Sequence, residues 1–333
     1  MNILITCPPM ICQIKSFDNT FKENNIIYHI PEFTALMSEA ELINIIDRFD
    51  GWIAGDDPVS ENVLKKGYQH KLKIVVKWGI GTDNVDYSAC KKYGIKIFNT
   101  PGVFNEEVSD IAVNYLLTLS RKTHIINQKV RQGIWYKPSG MSLSNKKVCL
   151  IGFGNIGQAI ARKLLSFNLN LHVFDPGFFR SNDIIYSQRE QQPVDSIFQD
   201  NPLIHISQKI DFSVEDANFI IACCSLNENT YHLINKDLIL KAASKVIIIN
   251  VSRGGVLKES DVVELLTTGY IDSVGLDVFE TEPLNTDNPL LQFEQNIYGS
   301  HNSSNTVEGV IKASNRAIHF LLEHMNSNKY LCF

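Results

Sequence analysis

The segment 148–175 constrains the possible folds of this chain more than any other stretch. Its first four residues, Val148 to Ile151, are apolar and predict a buried parallel strand. The strand leads into Gly152-Phe153-Gly154-Asn155-Ile156-Gly157, which fits the pattern G-x-G-x-x-G. Apolar residues then recur at helical spacing, and a second apolar run ends on Asp175. Such glycines permit a sharp turn, a close approach of backbone to a pyrophosphate and close packing of helix on strand. The segment therefore predicts a strand–helix–strand unit that binds a dinucleotide.

Asp175 indicates which dinucleotide the motif binds. It stands at the distance expected for the acid that binds the adenine ribose hydroxyls. Its charge would repel a 2′-phosphate, so NAD is favoured over NADP. Arg180 is close enough in sequence to weaken this preference, although a solvated surface charge is the simpler interpretation. The alternative for the whole motif is a tight turn without a ligand, and the flanking strand, helix and acid favour the cofactor.

Length and composition set the class of protein. The 333 residues are enough for two domains, and 44% hydrophobic with 20% charged residues is ordinary for a globular protein. A net charge of −5 gives no electrostatic footprint for nucleic acid, and no apolar run is long enough to cross a membrane. The first residues do not resemble a signal peptide, and the seven cysteines include no C-x-x-C pair. These features predict a cytoplasmic protein with reduced thiols and without a metal site.

Predicted strands and helices alternate through both halves of the chain. The first hundred residues predict a small open α/β sheet, and the alternation resumes beyond residue 200. Between them, apolar periodicity predicts one long helix from about Glu106 to Arg131, whose length suggests a dimer contact. The polar stretch from Arg180 to Asp200 is predicted to be a surface excursion.

Three polar stretches follow predicted strands in the second half and contain Arg253, Glu282 and His301. The carboxyl ends of parallel strands meet at one edge of a sheet, where ligands bind. Arg253 can bind a carboxylate with two hydrogen bonds and polarise a carbonyl group. His301 can donate or accept a proton, and Glu282 can orient its ring. Each residue alone could be an ordinary loop residue. Together, behind a dinucleotide motif, they predict hydride transfer between a nicotinamide and a 2-oxo acid.

Motifs spread over nearly the whole chain match one family. In order, they are Gly79-Ile80-Gly81-Thr82-Asp83-Asn84-Val85-Asp86, Asn99-Thr100-Pro101-Gly102, the glycine motif with Asp175, Val251-Ser252-Arg253-Gly254-Gly255, Leu276 to Pro283, and His301. With these motifs the chain resembles the D-isomer-specific 2-hydroxyacid dehydrogenases, which include phosphoglycerate, glycerate, formate and D-lactate dehydrogenases. The resemblance implies an α/β fold of two doubly wound parallel-sheet domains. A Rossmann NAD-binding domain of residues 102–300 would be inserted into a flavodoxin-like substrate domain of residues 1–101 and 301–333.

The resemblance also implies residue roles. Catalysis would depend on Arg253, Glu282 and His301, and the family is usually dimeric, which implies a homodimer. The 2-hydroxy or 2-oxo acid substrate would be bound by Lys77, Gly79, Ile80, Gly81, Arg253 and His301. NAD would be bound by Gly152, Gly154, Asn155, Ile156, Gly157, Asp175, Cys223, Cys224, Ser252 and Asp277.

Several positions depart from the family pattern. Cys223-Cys224-Ser225 replaces a His-x-Pro, and Ser300 replaces the proline before the catalytic histidine. The loop Ala54-Gly55-Asp56-Asp57 carries two acids where phosphoglycerate dehydrogenases often have a cation for the substrate phosphate. These carboxylates weigh against phosphoglycerate dehydrogenase, which stays the second interpretation. The non-catalytic alternative is an NADH-sensing binding protein of the same fold, which would bind NADH without turnover.

Overall fold

The computed structural model describes residues 1–32, 36–181, 184–188 and 192–326. The chain divides into two compact units. The first unit comprises residues 1–104 and the segment that begins at Ser304, and the second comprises residues 105–303. The predicted domain boundaries lie three residues before these divisions.

The first unit contains one parallel sheet of five strands in the order β2-β1-β3-β4-β5. This is the strand order of flavodoxin-like folds, as predicted. The strands are β1 Asn2–Ile5, β2 Ile27–His29, β3 Gly51–Ala54, β4 Ile74–Lys77 and β5 Lys96–Asn99. The helices between them are α1 Pro8–Cys12, α2 Asp18–Glu23, α3 Glu39–Ile43, α4 Glu61–Tyr68 and α5 Tyr87–Tyr93, with short 3₁₀ turns at Ile14–Phe17 and Ile46–Arg48.

The central strands β3 and β4 are buried at every position, as expected for a parallel sheet covered on both faces. The buried side chains that pack on one side of this sheet include Leu42, Trp52, Leu64 and Val75. At the carboxyl ends of these two strands lie the charged residues Asp56, Asp57 and Lys77.

The second unit begins with two helices, α6 Asn105–Arg121 and α7 Thr123–Arg131. The prediction of a single helix from Glu106 to Arg131 is therefore wrong. Lys122 has a φ of +54°, in the left-handed region, so its backbone cannot continue the right-handed helix. A lysine in the middle of an apolar periodicity gave no sign of this break.

The main sheet of the second unit has seven parallel strands in the order β11-β7-β6-β12-β13-β14-β15. Numbered within this sheet, its first six strands follow the Rossmann order 3-2-1-4-5-6, as predicted. The strands are β6 Lys147–Ile151, β7 Asn170–Phe174, β11 Ile204–Ser207, β12 Phe219–Ala222, β13 Val246–Asn250, β14 Ile271–Leu276 and β15 Ile297–Tyr298. The helices are α8 Asn155–Leu165, α9 Ile210–Val214, α10 Lys236–Ile239 and α11 Glu259–Thr267, with 3₁₀ turns at Gly254–Val256 and Pro289–Gln292.

The stretch predicted as a surface excursion contains a small antiparallel sheet, which the sequence analysis did not predict. The sheet contains β8 Phe178–Ser181, β9 Ile184–Ser187 and β10 Gln192–Pro193, followed by a 3₁₀ turn at Ser196–Phe198. The rings of Phe178 and Phe198 both contact Phe153 of the glycine motif, each with ring centres 5.3 Å apart. These contacts anchor a polar sequence that has little apolar periodicity of its own.

The helix α12 Val307–Asn326 returns the chain to the first unit, where it packs against β4. Among the described helices, none combines the length and apolar character needed to cross a membrane.

Candidate active site

The second unit places His301 against Glu282. The Nδ1 atom of His301 lies 2.8 Å from Oε2 of Glu282, and both side chains are about one-third exposed. A carboxylate accepts hydrogen bonds only, so the proton between the two groups belongs to Nδ1. In this arrangement Nε2 is the ring nitrogen that is chemically able to exchange a proton with a ligand.

The backbone fixes the other carboxylate oxygen of Glu282. The N–H of Phe279 donates to Oε1 at 2.9 Å, so the two oxygens have separate partners. The loop that follows Arg253 packs directly on this turn, because a Cβ on Gly254 would lie 1.9 Å from the carbonyl carbon of Phe279. The absence of a side chain at residue 254 thus allows the arginine loop and the glutamate loop to touch.

Arg253 follows β13 and is held by a buried amide. The side chain of Asn250 donates to the carbonyl oxygen of Arg253 at 2.9 Å and accepts from Oγ of Ser252 at 2.7 Å. The guanidinium donates to the Ser252 carbonyl at 2.9 Å. Asn250 was not among the predicted site residues, although a polar residue that ends the apolar run Val246 to Ile249 is a usable signal.

Asp277 holds the loop that carries His301. Its buried carboxylate accepts from the N–H groups of Asn302 at 3.2 Å and Ser303 at 3.0 Å, and its carbonyl oxygen accepts from the N–H of His301 at 2.7 Å. These bonds support the left-handed backbone of His301, whose φ is +54°. Gly299 is required beside them, because a Cβ there would lie 2.2 Å from Oδ1 of Asp277. No local sequence pattern indicates this steric requirement at Gly299.

The glycine motif has the shape that a pyrophosphate needs. Gly154 precedes α8 with no side-chain cap, and a Cβ at this position would meet no atom within 4 Å. The first N–H groups of the helix, at Asn155 and Ile156, have no acceptor within the helix and lie at the positive end of its dipole. By contrast, a Cβ on Gly157 would lie 2.2 Å from the carbonyl oxygen of Gly152. The residues present thus fit a dinucleotide phosphate at the helix N-terminus.

Asp175 follows β7 and lies beside the glycine motif. Its carboxylate accepts from the N–H of Phe153 at 2.7 Å and of Gly177 at 2.8 Å, which fixes its orientation beside the motif. Each carboxylate oxygen has about two acceptor sites, so the group can still accept from ribose hydroxyls. Its charge fits NAD better than NADP.

Cys223 and Cys224 follow β12, next to β6 at the point where the strand order of the sheet reverses. A Cβ on Gly152 would lie 2.9 Å from the backbone nitrogen of Cys224, so this loop touches the glycine motif. The Cys223 thiol donates to the Gly152 carbonyl at 3.2 Å. Burial raises the pKa of Cys224 to about 11 and that of Cys223 well above its usual value, so both are neutral thiols. They can line the proposed dinucleotide site without adding a charge to it.

The first unit contains the predicted substrate loop. Gly79 has a φ of +125°, and its N–H donates to Oγ1 of Thr100 at 2.8 Å. The N–H groups of Ile80 and Gly81 donate to no acceptor within the described ranges. Of the three predicted backbone donors, these two are the ones available to a ligand carboxylate.

Lys77 ends β4 beneath this loop and is almost fully buried. Its ammonium donates to Oδ1 of Asp56 at 2.8 Å and to the Trp78 carbonyl at 3.0 Å. Asp57 has a different environment, because it is buried and accepts from Thr6, Met37 and Gly55. Only Asp56 of the two acids contacts the lysine.

Comparisons with known proteins agree with this geometry. Residues 113–303 match the family model described as the NAD binding domain of D-isomer specific 2-hydroxyacid dehydrogenases. A hydroxypyruvate reductase of Thermotoga maritima is 32% identical over 74% of this chain and 74% of its own length. A glyoxylate reductase/hydroxypyruvate reductase of Homo sapiens is 31% identical over 71% of this chain and 68% of its own. The apo-structure of D-lactate dehydrogenase from Escherichia coli has a similar fold, with a TM-score of 0.79 and 23% identity over 98% of both chains. This chain belongs to the D-isomer specific 2-hydroxyacid dehydrogenases, a family of NAD-dependent oxidoreductases that interconvert 2-hydroxy and 2-oxo acids.

Proposed function

We propose that this protein reduces a small 2-oxo acid of the glyoxylate and hydroxypyruvate class, with His301 as the acid–base group. The observation that carries the proposal is the His301–Glu282 pair, because a carboxylate that accepts from Nδ1 orients the ring and stabilises its protonated form. The two curated relatives named above, both about one-third identical, are reductases of these acids.

The roles follow from the chemistry of each group. Bound NADH supplies the hydride for reduction, and NAD accepts it in the reverse direction. His301 donates its Nε2 proton to the carbonyl oxygen, and Glu282 holds the ring and balances the charge of the protonated imidazole. Arg253 binds the substrate carboxylate and polarises the carbonyl group, since its guanidinium presents several N–H donors in a fixed plane.

Substrate binding in the first unit rests on the loop after β4. We assign carboxylate binding to the N–H groups of Ile80 and Gly81, because these donors have no protein acceptor within the described ranges. Gly79 supports the loop through its bonds with Thr100. NAD binding rests on residues 152–157, Asp175, the two cysteines at 223 and 224, Ser252 and Asp277.

The test is the loss of NADH absorbance with glyoxylate, hydroxypyruvate, pyruvate, 2-oxoglutarate and phosphohydroxypyruvate. Turnover of glyoxylate or hydroxypyruvate is expected. His301→Ala should lower kcat by about 10²- to 10⁴-fold while NADH affinity, measured by fluorescence titration, stays unchanged. NADH binding without turnover of any acid would reject the enzyme in favour of an NADH-sensing protein. A fully active His301→Ala variant would reject His301 as the proton donor.

We also propose that the protein works as a homodimer in the cytoplasm. No residue of α7 is buried, and the neighbouring side chains Ile134, Trp135 and Tyr136 are exposed, Trp135 by 79%. Aromatic side chains exposed together are typical of a protein–protein contact. The described cysteines are free thiols, as expected in a reducing compartment. Sedimentation at twice the chain mass of 37.6 kDa would support the dimer, and sedimentation at the chain mass would reject it.

A further inference from the structure

The Lys77–Asp56 ion pair lies at the carboxyl edge of the first unit's sheet, close to the point where the strand order reverses. The strand order of this sheet reverses between β1 and β3, and Asp56 lies just beyond the carboxyl end of β3. In open α/β sheets, ligands bind outside the carboxyl ends of the strands at such a reversal. Lys77 ends the adjacent strand β4 and lies directly below the loop whose backbone donors we assign to the substrate carboxylate.

The two partners differ strongly in exposure. The Lys77 side chain is 3% exposed and the Asp56 side chain 58% exposed. Among the described residues the ammonium has two acceptors, Asp56 and the Trp78 carbonyl, for its three protons. A Cβ on Gly79 would lie 3.3 Å from Nζ, so only a residue without a side chain leaves this side of the ammonium uncrowded.

A buried ammonium requires a compensating negative charge. Asp56 provides it through the ion pair with Lys77, and its side chain is 58% exposed, so solvent and ligands can reach this carboxylate. Asp57 cannot serve in this way, because its carboxylate is buried and already accepts three hydrogen bonds from Thr6, Met37 and Gly55.

We propose that Asp56 is a specificity-determining residue that restricts the substrate to 2-oxo acids whose only charged group is the carboxylate next to the carbonyl. The proposal rests on the function proposed above and narrows its substrate class. A hydroxyl group can donate to the Asp56 carboxylate, whereas a phosphate or a second carboxylate meets a like charge there. Asp56 also keeps the Lys77 charge from recruiting such an anion. Hydroxypyruvate therefore fits this position, and phosphohydroxypyruvate and 2-oxoglutarate do not.

The test is Asp56→Asn, which keeps the shape of the side chain and its acceptor for Lys77 but removes the negative charge. We expect the ratio of kcat/KM for 2-oxoglutarate to kcat/KM for hydroxypyruvate to rise at least tenfold. The double variant Asp56→Asn with Lys77→Met should lose this gain, because the uncompensated cation is then absent. Asp47→Asn is the matched control: it removes an acid paired with Lys66 at 3.1 Å, just before β3 begins and so at the opposite end of that strand.

A second readout does not require turnover. Binding of 2-oxoglutarate should raise the Tm of Asp56→Asn but not that of the wild type or of Asp47→Asn. A ratio within twofold of the wild type together with no Tm shift in Asp56→Asn would overturn the proposal, even if the wild type reduces hydroxypyruvate. If the wild type reduces none of the acids, the proposed function fails, and the Tm shift alone decides whether Asp56 governs anion binding.

Discussion

Glu282→Gln tests the central element of the site, because the structure determines which way a glutamine must turn. The N–H of Phe279 donates to one carboxylate oxygen of Glu282, and His301 donates from Nδ1 to the other. In the variant, the amide oxygen must take the position facing Phe279, since the NH₂ group cannot accept a hydrogen bond. The NH₂ group then faces Nδ1 of His301, and the ring must carry its proton on Nε2. The neutral ring can then no longer accept a proton at Nε2, and the protonated ring has no acceptor for its Nδ1–H group.

The expected loss follows from the two interactions that change. A hydrogen bond to a charged group contributes about 1.5–3 kcal/mol, and a donor that faces another donor costs about 1–3 kcal/mol. Both groups are about one-third exposed, so water replaces part of each interaction and the lower half of these ranges applies. The sum is about 2.5–4 kcal/mol, which corresponds to a loss of roughly 10²- to 10³-fold in kcat.

The assay measures kcat with the preferred 2-oxo acid and, in reverse, with the matching 2-hydroxy acid, together with NADH affinity. Both rates should fall while NADH affinity stays within twofold, because Glu282 contacts the histidine and not the glycine motif. Glu294→Gln makes the same chemical change at a side chain that is 72% exposed, and it should be silent. Activity of Glu282→Gln within threefold of the wild type in both directions would refute the orienting role of Glu282.

Two further predictions concern the second unit. Gly154→Ala should change the Tm of the free protein by no more than about 2 °C, because the added Cβ meets no protein atom within 4 Å. The same Cβ would occupy the pyrophosphate position and should weaken NADH binding at least tenfold. In Gly157→Ala the Cβ would lie 2.2 Å from a carbonyl oxygen, so both the Tm and the NADH affinity should fall. Equal NADH affinity in Gly154→Ala and the wild type would remove this loop from the cofactor site. Burial, with smaller contributions from Lys147 and His205, lowers the pKa of His172 from 6.5 to about 4. The unfolded chain then binds the proton first as pH falls, so stability should decrease between pH 6.5 and 4 by about 2 kcal/mol after allowance for partial exposure. His172→Phe keeps the ring contact with Phe212 and should flatten that part of the curve in urea unfolding, and an unchanged slope would contradict the pKa assignment.

The parallel sheets and the cofactor motif were predictable from sequence because their signals are local. Four apolar residues, a glycine pattern and an acid at the end of the next strand lie within 28 consecutive residues, and the structure shows close backbone contacts at Gly152 and Gly157 that exclude a side chain. The His301–Glu282 pair was predictable for a related reason. Once alternating strands imply a parallel sheet, polar residues after successive strands must meet at one edge.

Other features depend on contacts between distant residues, and no local pattern contains them. The small antiparallel sheet is anchored by Phe153, 25 residues before Phe178 and 45 before Phe198, so its polar sequence resembled a loop. The helix breaks at Lys122 because this residue has a positive φ, which lysine rarely adopts. Nothing in the neighbouring sequence indicates that angle.

The charged residues at the carboxyl edge of the first unit's sheet show the same difference between what the sequence and what the tertiary structure determine. The sequence by itself determined that Asp56, Asp57 and Lys77 lie at the carboxyl ends of strands of one sheet, because the apolar pattern shows where each strand ends. Only the tertiary structure decided that Asp57 turns inward to Thr6 while Asp56 pairs with the buried ammonium. Adjacent residues after a strand point in different directions, and burial makes an unpaired charge too unfavourable to persist. The partner of each charge is therefore fixed by packing between strands that are far apart in sequence.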